Sequence, residues 1–145
     1  MKKKYELTKE SIDHEGVTLY RIRALKDFGN FKKGDLGGYI EKESNLSHEG
    51  NCWVGGNAYV YANAGVSDNA QVYDDARVGC CAWVYGFARV FDDARVFDNV
   101  VVYGHARVFE RGHLGGCVRV FDFAVIKGQA DVYDLEDICG RSVVA

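Results

Sequence analysis

Residues 51–134 read NCWVGG NAYVYA NAGVSD NAQVYD DARVGC CAWVYG FARVFD DARVFD NVVVYG HARVFE RGHLGG CVRVFD FAVIKG QADVYD, and the spacing inside that stretch decides the fold. The fourth place of each hexad is aliphatic from Val54, Val60, Val66 and Val72 onward to Leu114, Val120, Ile126 and Val132, and Ile138 and Val144 continue it. With about a quarter of residues aliphatic, sixteen such matches in a row arise by chance about once in 10⁹ to 10¹⁰ trials. The second place is alanine in most hexads, with Val100, Gly112 and Val118 among the departures. A helix cannot use this beat, because six residues at 100° each scatter the valines around the axis. A strand can. Alternation sends the second and fourth places to one side, and the Gly, Asp and Asn of the sixth and first places suit a bend.

Three strand-and-bend units close a triangular coil of eighteen residues. The pattern resembles the hexapeptide-repeat family of left-handed β-helices, over about residues 45–144. In that family the alanine-type residue fits the crowded corner and the aliphatic one fills the prism. The left hand is implied by the resemblance, since spacing alone does not fix it and parallel crossovers otherwise run right-handed. The expected fold is therefore all-β: a single-stranded left-handed parallel β-helix of about five triangular coils over residues 45–145, behind a small N-terminal β cap, residues 1–44.

In the cap, Gly16 to Leu25 reads as a strand with Tyr5-Glu6-Leu7 as its pairing partner, and Thr8 to His14 reads as a turn or one helical turn. The stretch GDLGGYIEKESNLS, residues 34–47, followed by N-A-x-V hexads, is similar to phage and prophage proteins and their enterobacterial relatives. A solenoid needs its first coil covered, which assigns this piece to the cap. As a phosphate cradle it lacks G-x-x-x-x-G-K-[ST] and a following helix. At the other end no helix follows the last coil, and an open coil invites association. Ile138, Val143 and Val144 are the expected contact with another copy.

Composition narrows the function classes. A net charge of −3 argues against direct binding of nucleic acid, which needs clustered cations. No apolar run is long enough to span a membrane, and no apolar stretch follows the N-terminal lysines as in a signal peptide. The expected location is the cytoplasm of a bacterial host cell. The five cysteines are odd in number and form no C-x-x-C; they read as small buried or half-buried residues, and neither a metal site nor a cofactor is expected.

Because residues eighteen apart stack, the surface is legible in columns. One wall shows Trp83, Tyr85, Val101, Tyr103 and Phe121, with Phe87 and Phe123 at the next corner. Stacking between coils explains aromatics there, but a contiguous apolar patch of that size also marks an interface. At another corner Asp74, Asp75, Asp92, Asp93 and Glu110 form an acidic ridge. Its repulsion needs an offset, expected from the adjoining Arg77 and Arg95, with a bound cation such as calcium or a basic partner as the functional alternatives.

Many hexapeptide-repeat proteins are trimeric acyltransferases that use a histidine base between subunits. Here His105 falls at a corner and His113 on a wall, with no partner residue indicated and no loop inserted between Asn51 and Asp134. Resemblance to phage proteins implies instead a non-catalytic binding or assembly protein that blocks a host defence protein. The expected partners are a further copy of the chain and a host protein. A variant sequesters a nucleotide signal between subunits, with Arg89, Arg107, Arg77 or Arg95 on the phosphate.

Overall fold

Only the third and fourth places of each hexad are extended enough to pair, so the walls consist of two-residue strands. The computed structural model describes residues 3–145. From Trp53–Val54 to Val143–Val144 it contains sixteen such strands, three to a coil. The first wall stacks Trp53–Val54, Gln71–Val72, Arg89–Val90, Arg107–Val108, Val125–Ile126 and Val143–Val144. The second stacks Tyr59–Val60, Arg77–Val78, Arg95–Val96, His113–Leu114 and Asp131–Val132; the third stacks Gly65–Val66, Trp83–Val84, Val101–Val102, Arg119–Val120 and Asp137–Ile138. All these pairings are parallel, with Val72 against Val90 and Val90 against Val108. The protein is a left-handed parallel β-helix. It extends over about six turns rather than five, because Leu36–Ile40 and Leu46 pair onto the first full coil.

The core is a column of the expected residues. Val54, Val60, Val72, Val78, Val84, Val90, Val96, Val102 and Val108 are fully buried, as are the alanines from Ala58 to Ala106 at the second place. Each interior coil bonds to the next through its backbone, as in Phe91 N–H to Val108 O at 3.0 Å. Such nearest-coil bonding is what makes a solenoid's stability accumulate coil by coil.

At the sixth place the chain turns through the left-handed region: Asp68, Asp74, Asp92, Asp98 and Asp122 have φ between 56° and 58°. That conformation costs an ordinary L-residue about 1–2 kcal/mol. Aspartate offsets it with a bond of its own. Its carboxylate accepts the sixth-place N–H of the next coil, as in Asp74 Oδ2 from Asp92 N–H (3.3 Å), Asp92 Oδ2 from Glu110 N–H (3.1 Å) and Asp98 Oδ2 from Gly116 N–H (2.7 Å).

The cap begins with β1 (Tyr5–His14) antiparallel to β2 (Val17–Ala24), which pairs with β3 (Leu36–Ile40); β3 then runs parallel to Tyr59–Val60. Thr8 to His14 is therefore strand, not a turn; an irregularity between Leu7 and Ser11 lets β1 stay paired along its length. Gly37 and Gly38 are glycine because a Cβ there would stand 2.5 Å from Val54 O and 2.6 Å from Ala58 O. They permit close approach of β3 to the first coil, and no phosphate cradle is needed to explain them. Arg21 ties the layers together, donating to Glu10, the Gly37 carbonyl and the Tyr39 hydroxyl, each at 2.7 Å.

Two residues are buried by the cap in a way that the sequence columns do not show. Trp53 occupies an outward place yet is buried, because Phe28 and Phe31 of the cap fold over its ring at 5.2 and 5.6 Å between centroids. Lys4 is fully buried beneath the cap: its Nζ donates to Cys52 O at 2.7 Å and Gly50 O at 3.3 Å, and it lies over the face of Phe28. Burial pushes the Lys4 ammonium below its ordinary pKa and the Cys52 thiol above its own. Three other cysteines depart from expectation: Cys80, Cys81 and Cys117 are exposed, since first- and sixth-place residues stand on the corners outside the prism, whereas Cys139, at a fifth place, is half-buried as expected.

Candidate functional site

The third wall carries two parallel aromatic ladders. Tyr85, Tyr103 and Phe121 occupy its fifth-place column, with centroids 5.0 Å apart and planes within 2° and 7°. At the adjoining corner Phe87, His105 and Phe123 stack at 5.1 and 5.0 Å. Isolated rings prefer offset or edge contacts; here a coil spacing of about 4.8 Å holds identical rotamers face to face. Arg141 lies over Phe123 and extends the second ladder. Trp83 packs sideways over Gly65, whose added Cβ would meet the indole at 2.5 Å.

Stacking alone does not single this wall out, since Tyr73, Phe91 and Phe109 on the first wall stack equally well. Exposure does. Trp83, Phe87 and Phe123 are 46%, 55% and 52% exposed, whereas Tyr85, Val101, Tyr103 and Phe121 are half-buried between them. The result is a rigid apolar strip with its edges open to solvent. The Tyr85 hydroxyl's pKa is raised, by burial first and the neighbouring Tyr103 second.

The acidic ridge is assembled as the columns require. Asp74, Asp75, Asp92, Asp93, Glu110 and Arg111 line an open groove of about 700 Å³ between the first and second walls. Its offset differs from the one expected. No ion pair joins Arg77 or Arg95 to these carboxylates among the described residues, and Arg77 lies instead over the Tyr59 ring. Asp74, Asp92 and Glu110 spend an oxygen each on a backbone N–H of the next coil. Among the described residues, no three His, Cys, Asp or Glu side chains are grouped to hold a metal ion.

The two candidate bases are far apart in role. His105 is clamped between two phenylalanines at a corner of the third wall. His113 lies on the second wall, paired in register with Arg95 and Asp131, in a recess of about 230 Å³ that includes Arg111 and Gln129. They do not share a site. At the far end Ile138 is buried, Val144 half-buried and Val143 exposed.

Comparison with known proteins agrees with the solenoid. Residues 88–104, about one coil, match the family described as YdcK beta solenoid repeat. A stretch of 60 residues is 38% identical to a protein of Escherichia coli (strain K12) named "Uncharacterized acetyltransferase YdcK". That likeness takes in 36% of this chain and 18% of the relative's length. No helix among the described residues is long and apolar enough to cross a membrane.

Proposed function

We propose that the protein is a non-catalytic binding module, of the phage-inhibitor kind, whose third wall docks on a host protein and blocks it. The observation that carries this reading is the exposure of Trp83, Phe87 and Phe123 along one stacked strip. Large rings held rigid by their neighbours lose little entropy on binding, and Trp and Tyr are favoured anchors. The strip suits a flat apolar surface with a polar rim, to which Arg119, Arg141 and Asp137 contribute. Replacing Trp83 and Tyr103 by Ser tests it. Capture of a host protein by the unaltered chain, lost in the folded double variant, supports the reading; capture unchanged by the substitutions sinks it. Self-association through the same wall is read in that experiment from the particle mass of the two forms.

A second reading, a trimeric acyltransferase, is favoured by the name of the E. coli relative. It requires a histidine base between subunits. Acetyl-CoA binding by calorimetry, with turnover lost in His105→Ala or His113→Ala, would bring it forward; a chain that neither binds acetyl-CoA nor assembles into trimers removes it.

A further inference from the structure

The fifth hexad place on the first wall forms a column of Gly55, Tyr73, Phe91, Phe109 and Lys127. Tyr73, Phe91 and Phe109 make a continuous ladder of rings 5.0 Å apart. The rung before Tyr73 belongs to Gly55 and holds no ring. This glycine differs from the outward glycines of the other walls. At Gly65, Gly79 and Gly115 an added Cβ would meet a neighbouring ring at 2.5, 2.9 and 2.4 Å, so those glycines lie under Trp83, Tyr61 and Tyr133. At Gly55 the added Cβ would meet only ordinary contacts, Tyr73 Cβ and Trp53 Cδ1 at 3.6 Å, and the backbone is outside the left-handed region. Neither conformation nor packing demands glycine there. What it leaves is space.

That space is walled on several sides. Phe31, Asp35 and Leu36 of the cap stand on one flank and Gln71, Tyr73 and Arg89 on the other, around about 560 Å³. This is the size of a small-molecule pocket. Trp53 is only 3% exposed, and its Nε1 stands 4.0 Å from where a Cβ at position 55 would be. Among the described residues that N–H donates to no protein acceptor, and it is not sealed from solvent, so a ligand entering the space can take its hydrogen bond in place of water. Of the two charged groups at the rim, Asp35 spends Oδ2 on the Lys32 N–H at 2.9 Å, while Arg89 makes no ion pair among the described residues.

We infer that this pocket binds a nucleoside monophosphate. The base fills the vacant rung and stacks on the open face of Tyr73, a ring nitrogen accepts the Trp53 N–H, and the phosphate pairs with Arg89. Arg89 lies in register two coils from Trp53, the neighbour of the vacant rung, roughly 10 Å along the axis, a separation that a pentose bridges. It flanks the aromatic column on the side away from Asp74. The acidic corner on the opposite side repels a longer polyanion, so the occupant is a mononucleotide rather than a nucleic-acid strand. The site lies on a different wall from the aromatic strip, and the Trp83→Ser, Tyr103→Ser variant leaves it intact; loss of partner docking and loss of this site are therefore separable.

Trp53 is its own reporter, because the chain has two tryptophans and Trp83→Phe leaves one. The probes are adenosine 5′-monophosphate, adenosine and inorganic phosphate, followed by Trp53 emission in that variant and by calorimetry in the unaltered chain. The monophosphate is expected to quench saturably, adenosine to bind about tenfold more weakly, and phosphate alone to leave the emission unchanged. Gly55→Phe places a ring in the rung and is expected to keep or raise the melting temperature while abolishing binding. Arg89→Gln, on the open surface, is expected to reduce binding of the monophosphate to that of adenosine. No saturable binding of the monophosphate up to about 1 mM overturns the inference. So does undiminished binding in folded Gly55→Phe, or binding of inorganic phosphate as tight as that of the monophosphate.

Discussion

Replacing Asp92 separates the possible explanations of the acidic corner. Asp92 turns the chain at φ +56° and its Oδ2 accepts the Glu110 N–H at 3.1 Å. Asp92→Ala removes that acceptor and puts a residue without a local hydrogen bond into the left-handed region. A hydrogen bond at a half-exposed position contributes about 1 kcal/mol net, and the poorer fit of alanine to this conformation adds up to about 1 more. The expected loss is about 1–2 kcal/mol, or roughly 3–8 °C in melting temperature for a chain of this size. Asp92→Asn keeps an oxygen acceptor and removes one charge from a stacked column, so it should stay within about 0.5 kcal/mol of the parent. Asp92→Gly loses the acceptor but regains backbone freedom, and should fall between the two. Thermal and urea melts at neutral pH, at low and high salt, measure all three. If the carboxylates were held by arginines or a cation, Asn would cost as much as Ala. Ala as stable as Asn would refute the hydrogen-bond explanation outright.

Three further outcomes follow from the packing and the charges. Val96→Ala removes two methyl groups from a fully buried place and should cost about 2–3 kcal/mol in urea unfolding; Val132→Ala, half-buried near the last coil, should cost less than half as much. Lys4→Met strands the Cys52 and Gly50 carbonyls beneath the cap and should cost about 1–3 kcal/mol, seen in urea melts together with a shift in Trp53 emission. The Glu43 carboxyl is held below the usual range, chiefly by its bond to the Lys3 ammonium, and Glu10 likewise by Arg21 and then Tyr39. Folded pKa values lowered in this way give stability that is present above the ordinary carboxylate range and lost as pH falls through the lowered values. The acid limb of stability should therefore be shallower in Glu43→Gln, measured by urea melts from pH 7 downward.

The aromatic strip and the acidic ridge were both legible from the chain, because in a tube of fixed circumference a residue's surface neighbours are set by arithmetic. Tyr85, Tyr103 and Phe121 stack where a step of eighteen puts them. The same arithmetic failed at Trp53, whose column is correct but whose surface is covered by Phe28 and Phe31. It also failed for the ridge's offset. Asp carboxylates were expected to meet arginines, whereas the nearest unpaired donors are backbone N–H groups that no side-chain pattern reveals.

The six-residue beat by itself determined the parallel coils, the valine core and the identity of each outward column, since burial of every sixth residue sets the eighteen-residue period of the winding, though not its hand. Tertiary structure alone decided where the cap's phenylalanines and Lys4 come to rest. Those contacts join residues with no common period, and their positions follow from the shape left open at the first coil. The empty rung at Gly55 belongs to the same class: its glycine is visible in the chain, but only the surrounding rings show that nothing fills it.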